Sequence, residues 1–168
     1  MLRASFVLAL AALGLSACNG AAPKAAAESA SRLLTAAYNN DRVAFEAEID
    51  RAAVRDDVRR QVSEMARTKA LDVDGGPSEF ALDRMISPDA VRLVDDKGAP
   101  LAAAPTPKQV APLMKVVDAK HVCLRDAESP QNCLLTFAKG TEAEAKGHWR
   151  LVGMRALDLR VEVASAGS

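Results

Sequence analysis

From Ala30 to Ile86 the apolar residues of this chain recur at intervals of three and four, and from Val116 onward they recur at intervals of two. A chain whose period changes once, from helix-like to strand-like, does not build alternating strand–helix–strand units; helices first and strands afterwards point to an α+β fold. Ala30, Leu33, Leu34, Ala37 and Tyr38 share one face of a helix expected from about Glu28 to Asn39. Asp41 can cap a short second helix carrying Phe45 and Ile49, and Asp50 caps a longer one on which Val54, Val58, Val62, Met65 and Ala66 repeat. Ile49 and Val54 bracket that cap as a hydrophobic staple, and the helix is expected to end near Leu71, before Gly75-Gly76-Pro77. Ser78 starts a further helix around Phe80, Leu82, Met85 and Ile86, and Ser87-Pro88-Asp89 starts another, since proline at the first helical position loses no needed donor.

Gly98 to Pro107 is rich in Ala and Pro, and Thr106-Pro107-Lys108-Gln109 has the form of a capping box that opens about one turn before Pro112 intervenes. Val116 to Arg125, Cys133 to Lys139 and His148 to about Val163 then read as strands. In the last, Leu157, Leu159, Val161 and Val163 alternate with Asp158, Arg160 and Glu162, the pattern of an antiparallel strand with one wet face, and Trp149 and Leu151 share the apolar parity. The expected fold is α+β: an N-terminal helical half across 28–97, a linker at 98–107, and a small C-terminal antiparallel β-meander, mainly strands, across 113–163.

Ahead of these elements stand Arg3, an apolar run from Phe6 to Leu15, and Leu15-Ser16-Ala17-Cys18. The apolar run is too short to span a bilayer and has the layout of a secretory signal. It resembles the lipobox signal of bacterial lipoproteins. That resemblance implies cleavage of a signal peptide, 1–17, a diacylglycerol thioether on Cys18, and acylation of the new amino terminus; two or three acyl chains anchor stably where one binds marginally. The following Ala-rich stretch, 18–27 with Gly20, Pro23 and Lys24, reads as a flexible tether, leaving 28–168 as a single domain. The implied address is the periplasmic side of the cell envelope. With Asn19, and not Asp, after Cys18, the outer membrane is expected over the inner.

The helical half, the small meander and the late Trp149-Arg150-Leu151-Val152 also resemble a group of uncharacterised bacterial exported proteins, as do Tyr38-Asn39-Asn40-Asp41 and the stretch from Asp50 through Val54-Arg55. The layout is similar to the cone fold of ketosteroid-isomerase-like proteins, in which helices cover a curved antiparallel sheet around a pocket.

Lys plus Arg and Asp plus Glu number 22 each, and only Arg3 is lost with the signal, so the mature protein is near neutral. That balance excludes the dense basic footprint that nucleic acid requires. With only Phe6, Tyr38, Phe45, Phe80, Phe137 and Trp149 as aromatics, Ala, Val and Leu must build most of the core. The helix from Arg51 to Lys69 carries Arg51, Arg55, Arg59, Arg60, Arg67 and Lys69 against Asp56, Asp57 and Glu64. It reads as a solvated face laced by ion pairs (Asp56 with Arg60, Arg60 with Glu64, Glu64 with Arg67), with anionic lipid as the competing reading.

Cys123 and Cys133 remain after Cys18 is assigned to lipid. In an exported protein they are expected to form a disulfide, facing each other if their strands turn near Glu128, and stabilising by about 2.5 to 3 kcal/mol in the entropic model. The alternative is a metal site from His121, Cys123, Cys133 and His148, although the spacing matches no standard zinc signature. Nine intervening residues do not suit a redox dithiol. No Gly-x-Ser-x-Gly, P-loop or dinucleotide fingerprint occurs, no cofactor is implied, and no carboxylate pair stands out as acid and base. Arg155 breaks the apolar parity of the last strand and either enters a polar pocket or marks a bend. The leading expectation is thus a lipid-anchored envelope protein with a non-catalytic binding or scaffolding domain for a protein partner or small ligand. The alternative is a cone-type pocket that binds a hydrophobic small molecule or transfers a proton, with His148, Arg155 or Tyr38 as its polar groups.

Overall fold

The computed structural model describes residues 21–69, 76–140 and 148–164. The signal segment and Cys18 lie outside these residues. The first helix, α1 (Ala21–Tyr38), starts seven residues before the expected Glu28 and occupies most of the stretch expected to be a tether. The reason is in the same residues: alanine has the highest helix propensity, and Pro23 falls in the first turn, where its missing N–H leaves no bond unmade. Ala26 and Ala27 are buried, continuing the face made by Ala30, Leu33 and Leu34. Small side chains lacking a strong hydrophobic signal here allow close packing.

The end of α1 is set locally. Asn40 adopts a left-handed conformation at φ 51°, its N–H donates to the Ala37 carbonyl, and the Asp41 N–H donates to the Ala36 carbonyl. This pair of bonds satisfies carbonyls that the helix would otherwise leave open. Asp41 then caps α2 (Arg42–Ala47), its carboxylate accepting from the Ala44 N–H at 3.0 Å. Asp50 does the same for α3 (Arg51–Thr68) through the Ala53 N–H at 3.1 Å. Ile49 and Val54, the expected staple, are both buried. Ser78 caps α4 (Glu79–Met85), its hydroxyl accepting from the Ala81 N–H.

The helix expected at Pro88 is only a 3₁₀ turn, Pro88–Ala90, and the chain then enters a strand, β1 (Arg92–Val94). The expected helical half therefore ends before residue 97. Pro107 opens α5 (Pro107–Val110), continued by a 3₁₀ turn, Ala111–Leu113. Gln109 Oε1 accepts from both the N–H and the hydroxyl of Thr106, the back-reaching contact of the anticipated capping box. The preceding linker is tied down, since the Ser31 hydroxyl donates to the Pro105 carbonyl and the Tyr38 hydroxyl to the Ala102 carbonyl.

Four antiparallel strands follow, β2 (Met114–Val116), β3 (His121–Arg125), β4 (Cys133–Lys139) and β5 (Trp149–Met154), hydrogen-bonded in that order. Val122 pairs with Phe137 and Phe137 with Leu151, a cross-strand row with no solvent exposure at all. Helix α1 packs on β2, β3 and β5, and α3 runs along β5. The outer edge of β5 is bridged by the segment before α3: the Asp50 N–H donates to the Leu151 carbonyl and the Leu151 N–H to the Glu48 carbonyl. That cover removes one open sheet edge.

The last expected strand is divided. After β5 the segment Arg155–Leu159 leaves the sheet, with Asp158 at φ 53°, and β6 (Arg160–Glu162) pairs parallel with β1, not antiparallel in the meander. The alternation survives the change of partner, because Leu159, Val161 and Val163 are buried while Arg160 faces solvent. An alternating pattern reports which face is wet; it carries no information on strand direction. Leu157, on the same parity, is half exposed.

Candidate functional site

A groove of about 360 Å³ lies between α4 and the break separating β5 from β6. Ala81, Arg84 and Met85, spaced to share one face of α4, line one side; Ala90 and the segment 155–159 line the rest. On the lining, Leu157 is exposed over 50% of its surface; Phe80, next to Ala81 on α4, is exposed at 72%. The sequence pattern places Phe80 with the core residues Leu82 and Ile86; the structure turns it outward, one position off the buried face.

Helix α3 holds both sides of this groove. On the α4 side, Arg51, Arg55 and Arg59 succeed one another at intervals of four. Arg51 donates to Asp83 Oδ1 at 2.7 Å and to the Ile86 carbonyl at 3.1 Å, and Arg55 reaches the same Asp83 oxygen at 2.9 Å. Arg55 and Arg59 each pair with Glu79, at 2.8 and 2.6 Å. The Arg51 hydrogen bond first, and then the charges of Arg55 and Arg51, hold the Asp83 carboxyl below the usual carboxylate range against the opposing effect of burial. The expected ion-paired face of α3 is thus partly right: Arg67 pairs with Glu64, but Arg59 takes Asp56, Arg60 takes Asp57, and the stripe beside them grips a second helix.

On the strand side the grip is made by hydrogen bonds. Asp57 Oδ2 accepts from the Met154 N–H at 3.2 Å and from Gln61 Nε2 at 2.7 Å. Gln61 Nε2 also donates to the Met154 carbonyl at 2.9 Å, and its Oε1 accepts from the Ala156 N–H at 3.1 Å. The Arg155 N–H donates to the Leu134 carbonyl. A strand that leaves its sheet exposes backbone groups that need partners, and two side chains of α3 supply them here.

The charges around the groove nearly cancel. Arg155 pairs with Asp126 at 3.3 Å, and Asp158 pairs with Arg92. Arg84 has no charged partner among the described residues, and Asp83 beside it is taken by Arg51 and Arg55. An apolar groove with one guanidinium that has no charged partner among the described residues is the arrangement that results.

The residues singled out in the sequence are dispersed. Arg155 lines the groove, whereas Tyr38 hydrogen-bonds to Ala102 and His148 stands exposed just before β5; neither lines it. The three do not form a shared pocket, and Arg155 marks the bend. Cys123 and Cys133 stand at disulfide distance, with Cα atoms 5.6 Å apart. They are not directly opposite as the symmetric turn would have it, because the register slips between Leu124 and Arg125, so that Cys123 faces Thr136 and Cys133 faces Arg125. Bonded to each other, the two sulfurs are not available as thiolate ligands, which removes them from the His121, Cys123, Cys133, His148 metal set. His121 Nδ1 lies 2.8 Å from Asp118 Oδ2, and Asp118 is held below the usual carboxylate range by the Lys120 N–H first and by His121 next. Among the described residues no group of three or more His, Cys, Asp or Glu could hold a metal ion, and no helix is long and apolar enough to cross a membrane.

Arg84, Leu157, Asp57 and Gln61 carry no sequence signal of a site. The one available clue is the parity break at Arg155, which falls at the start of the groove-lining segment. No protein family, curated protein or solved structure matches this chain.

Proposed function

We propose that this protein is a lipoprotein of the bacterial cell envelope, fixed to the membrane on its periplasmic side by acylated Cys18, with a non-catalytic binding domain beyond. The observation that carries the reading is the run Leu15-Ser16-Ala17-Cys18 directly after an apolar h-region. One structural feature supports it: the pairing of Cys123 with Cys133 suits an oxidising compartment. With Asn19 after the lipidated position, the outer membrane is its place of residence. The domain's binding surface is the groove between α4 and the β5–β6 break, where Leu157 stands exposed on the lining.

Growth of cells with radioactive palmitate tests the anchor. The wild-type chain incorporates label and is processed; Cys18→Ser incorporates none and accumulates with its signal uncut. Label retained by Cys18→Ser refutes the proposal.

A further inference from the structure

We propose that the groove between α4 and the β5–β6 break binds a small amphipathic monoanion: one carboxylate held by Arg84, with a short apolar body laid against Met85, Leu157 and Leu159. The inference rests on the reading of the folded part as a binding domain and extends it to a ligand class. Three observations carry it. The groove, at about 360 Å³, is in the size range of small-molecule sites, and its lining is mainly apolar. Among the charged groups on that lining, Arg155 and Asp158 are already paired, with Asp126 and Arg92, which leaves the positive charge of Arg84 without a charged partner among the described residues. One unneutralised guanidinium beside an apolar cleft is complementary to one anionic group on an apolar body, and guanidinium–carboxylate contact is strong and geometrically specific. The third observation is rigidity: α4 is gripped by Arg51 and Arg55, and the facing segment by Asp57 and Gln61, so both sides are formed before a ligand arrives. Asp158, in a left-handed conformation, is part of the turn that leaves Leu157 half exposed at the mouth.

The experiment uses the processed full chain in zwitterionic lipid nanodiscs and three water-soluble probes of one shape, 3-phenylpropanoate, 3-phenylpropan-1-ol and 3-phenylpropylammonium, followed by saturation-transfer NMR against empty nanodiscs. The propanoate is expected to bind saturably and about tenfold more tightly than the alcohol, the worth of one charge-assisted hydrogen bond. The ammonium is expected to bind more weakly than either. Arg84→Gln, at an exposed position, should reduce propanoate to the affinity of the alcohol and leave the alcohol unchanged. Leu157→Asp should abolish binding of the propanoate and the alcohol. No saturable binding, equal binding of the ammonium, or propanoate affinity unaffected by Arg84→Gln overturns the proposal. The Cys18→Ser chain, tested in the same nanodisc buffer, separates the two readings: it is expected to bind propanoate as the wild type does. A failed anchor with intact binding counts against the lipoprotein reading alone, and an intact anchor without binding counts against this one alone.

Discussion

The Asp57 carboxylate occupies the space that a side chain at Gly153 would need: a Cβ there would come 2.9 Å from Asp57 Oδ2 and 3.6 Å from the Thr136 Cβ. That oxygen is not free to swing aside. It accepts from the Met154 N–H and from Gln61, and its carboxylate partner oxygen is engaged by Arg60. Glycine at 153 is therefore a requirement of close approach between α3 and β5.

Gly153→Ala should destabilise the protein by about 1 to 3 kcal/mol, in the range of overpacking at a well-filled site. Asp57→Ala should cost about 1 to 3 kcal/mol by leaving the Met154 N–H without its acceptor. Because the first change acts through the second residue, the double variant should lose less than the sum, which urea denaturation of all four proteins measures. Additive losses would show that the Cβ is accommodated elsewhere.

The Asp83 pairing makes α4 sensitive to acid. The folded carboxyl lies below its ordinary value, so the folded state binds fewer protons than the unfolded chain and the contribution rises with pH. It is complete above the unfolded carboxylate value of about 3.9 and is lost as pH falls through the lower, folded value. Asp83→Asn should remove this part of the acid limb and leave the remaining slope intact. Urea midpoints taken from neutral to strongly acid pH check it; an unchanged acid slope in the variant contradicts the assignment.

Reduction of Cys123–Cys133, or the pair Cys123→Ala with Cys133→Ala, should lower stability by about 2.5 to 3 kcal/mol, the value for a short closed loop. Denaturation with and without reductant measures it, and the alanine pair should be indifferent to reductant.

The caps show what was legible in the sequence. Asn40, Asp41, Asp50 and Ser78 act on backbone groups within a few residues, so local chemistry alone placed the starts of α2, α3 and α4. The helix-then-strand order followed from period in the same way. What stayed hidden depended on distant partners. β6 chooses β1, some sixty-eight residues earlier, and the strand break depends on α3, whose Asp57 and Met154 are separated by ninety-seven positions. The start of α1 was obscured for another reason: buried alanines pack by being small, and hydrophobic periodicity is weak where the apolar residues are alanine. Arg84 was invisible because a lone exposed arginine acquires meaning only when its neighbours are seen to be paired elsewhere.

In the lipoprotein reading the first trypsin site after Cys18 is Lys24, which lies in α1. Trypsin should therefore release the anchored domain slowly, Lys24 lying within the first two turns of the helix. Inserting a flexible spacer of about ten residues containing one lysine between Gly20 and Ala21 should make release rapid. Equal release from both proteins would mean that the chain around Lys24 is not held in the helix.

The central claim is lipid attachment at Cys18, and the mass of the amino-terminal tryptic peptide of the denatured, membrane-extracted protein tests it most directly. The predicted peptide is Cys18–Lys24, carrying a diacylglyceryl thioether on Cys18 and an acyl group on its amine. An amino terminus at any other residue, or an unmodified Cys18, would contradict it.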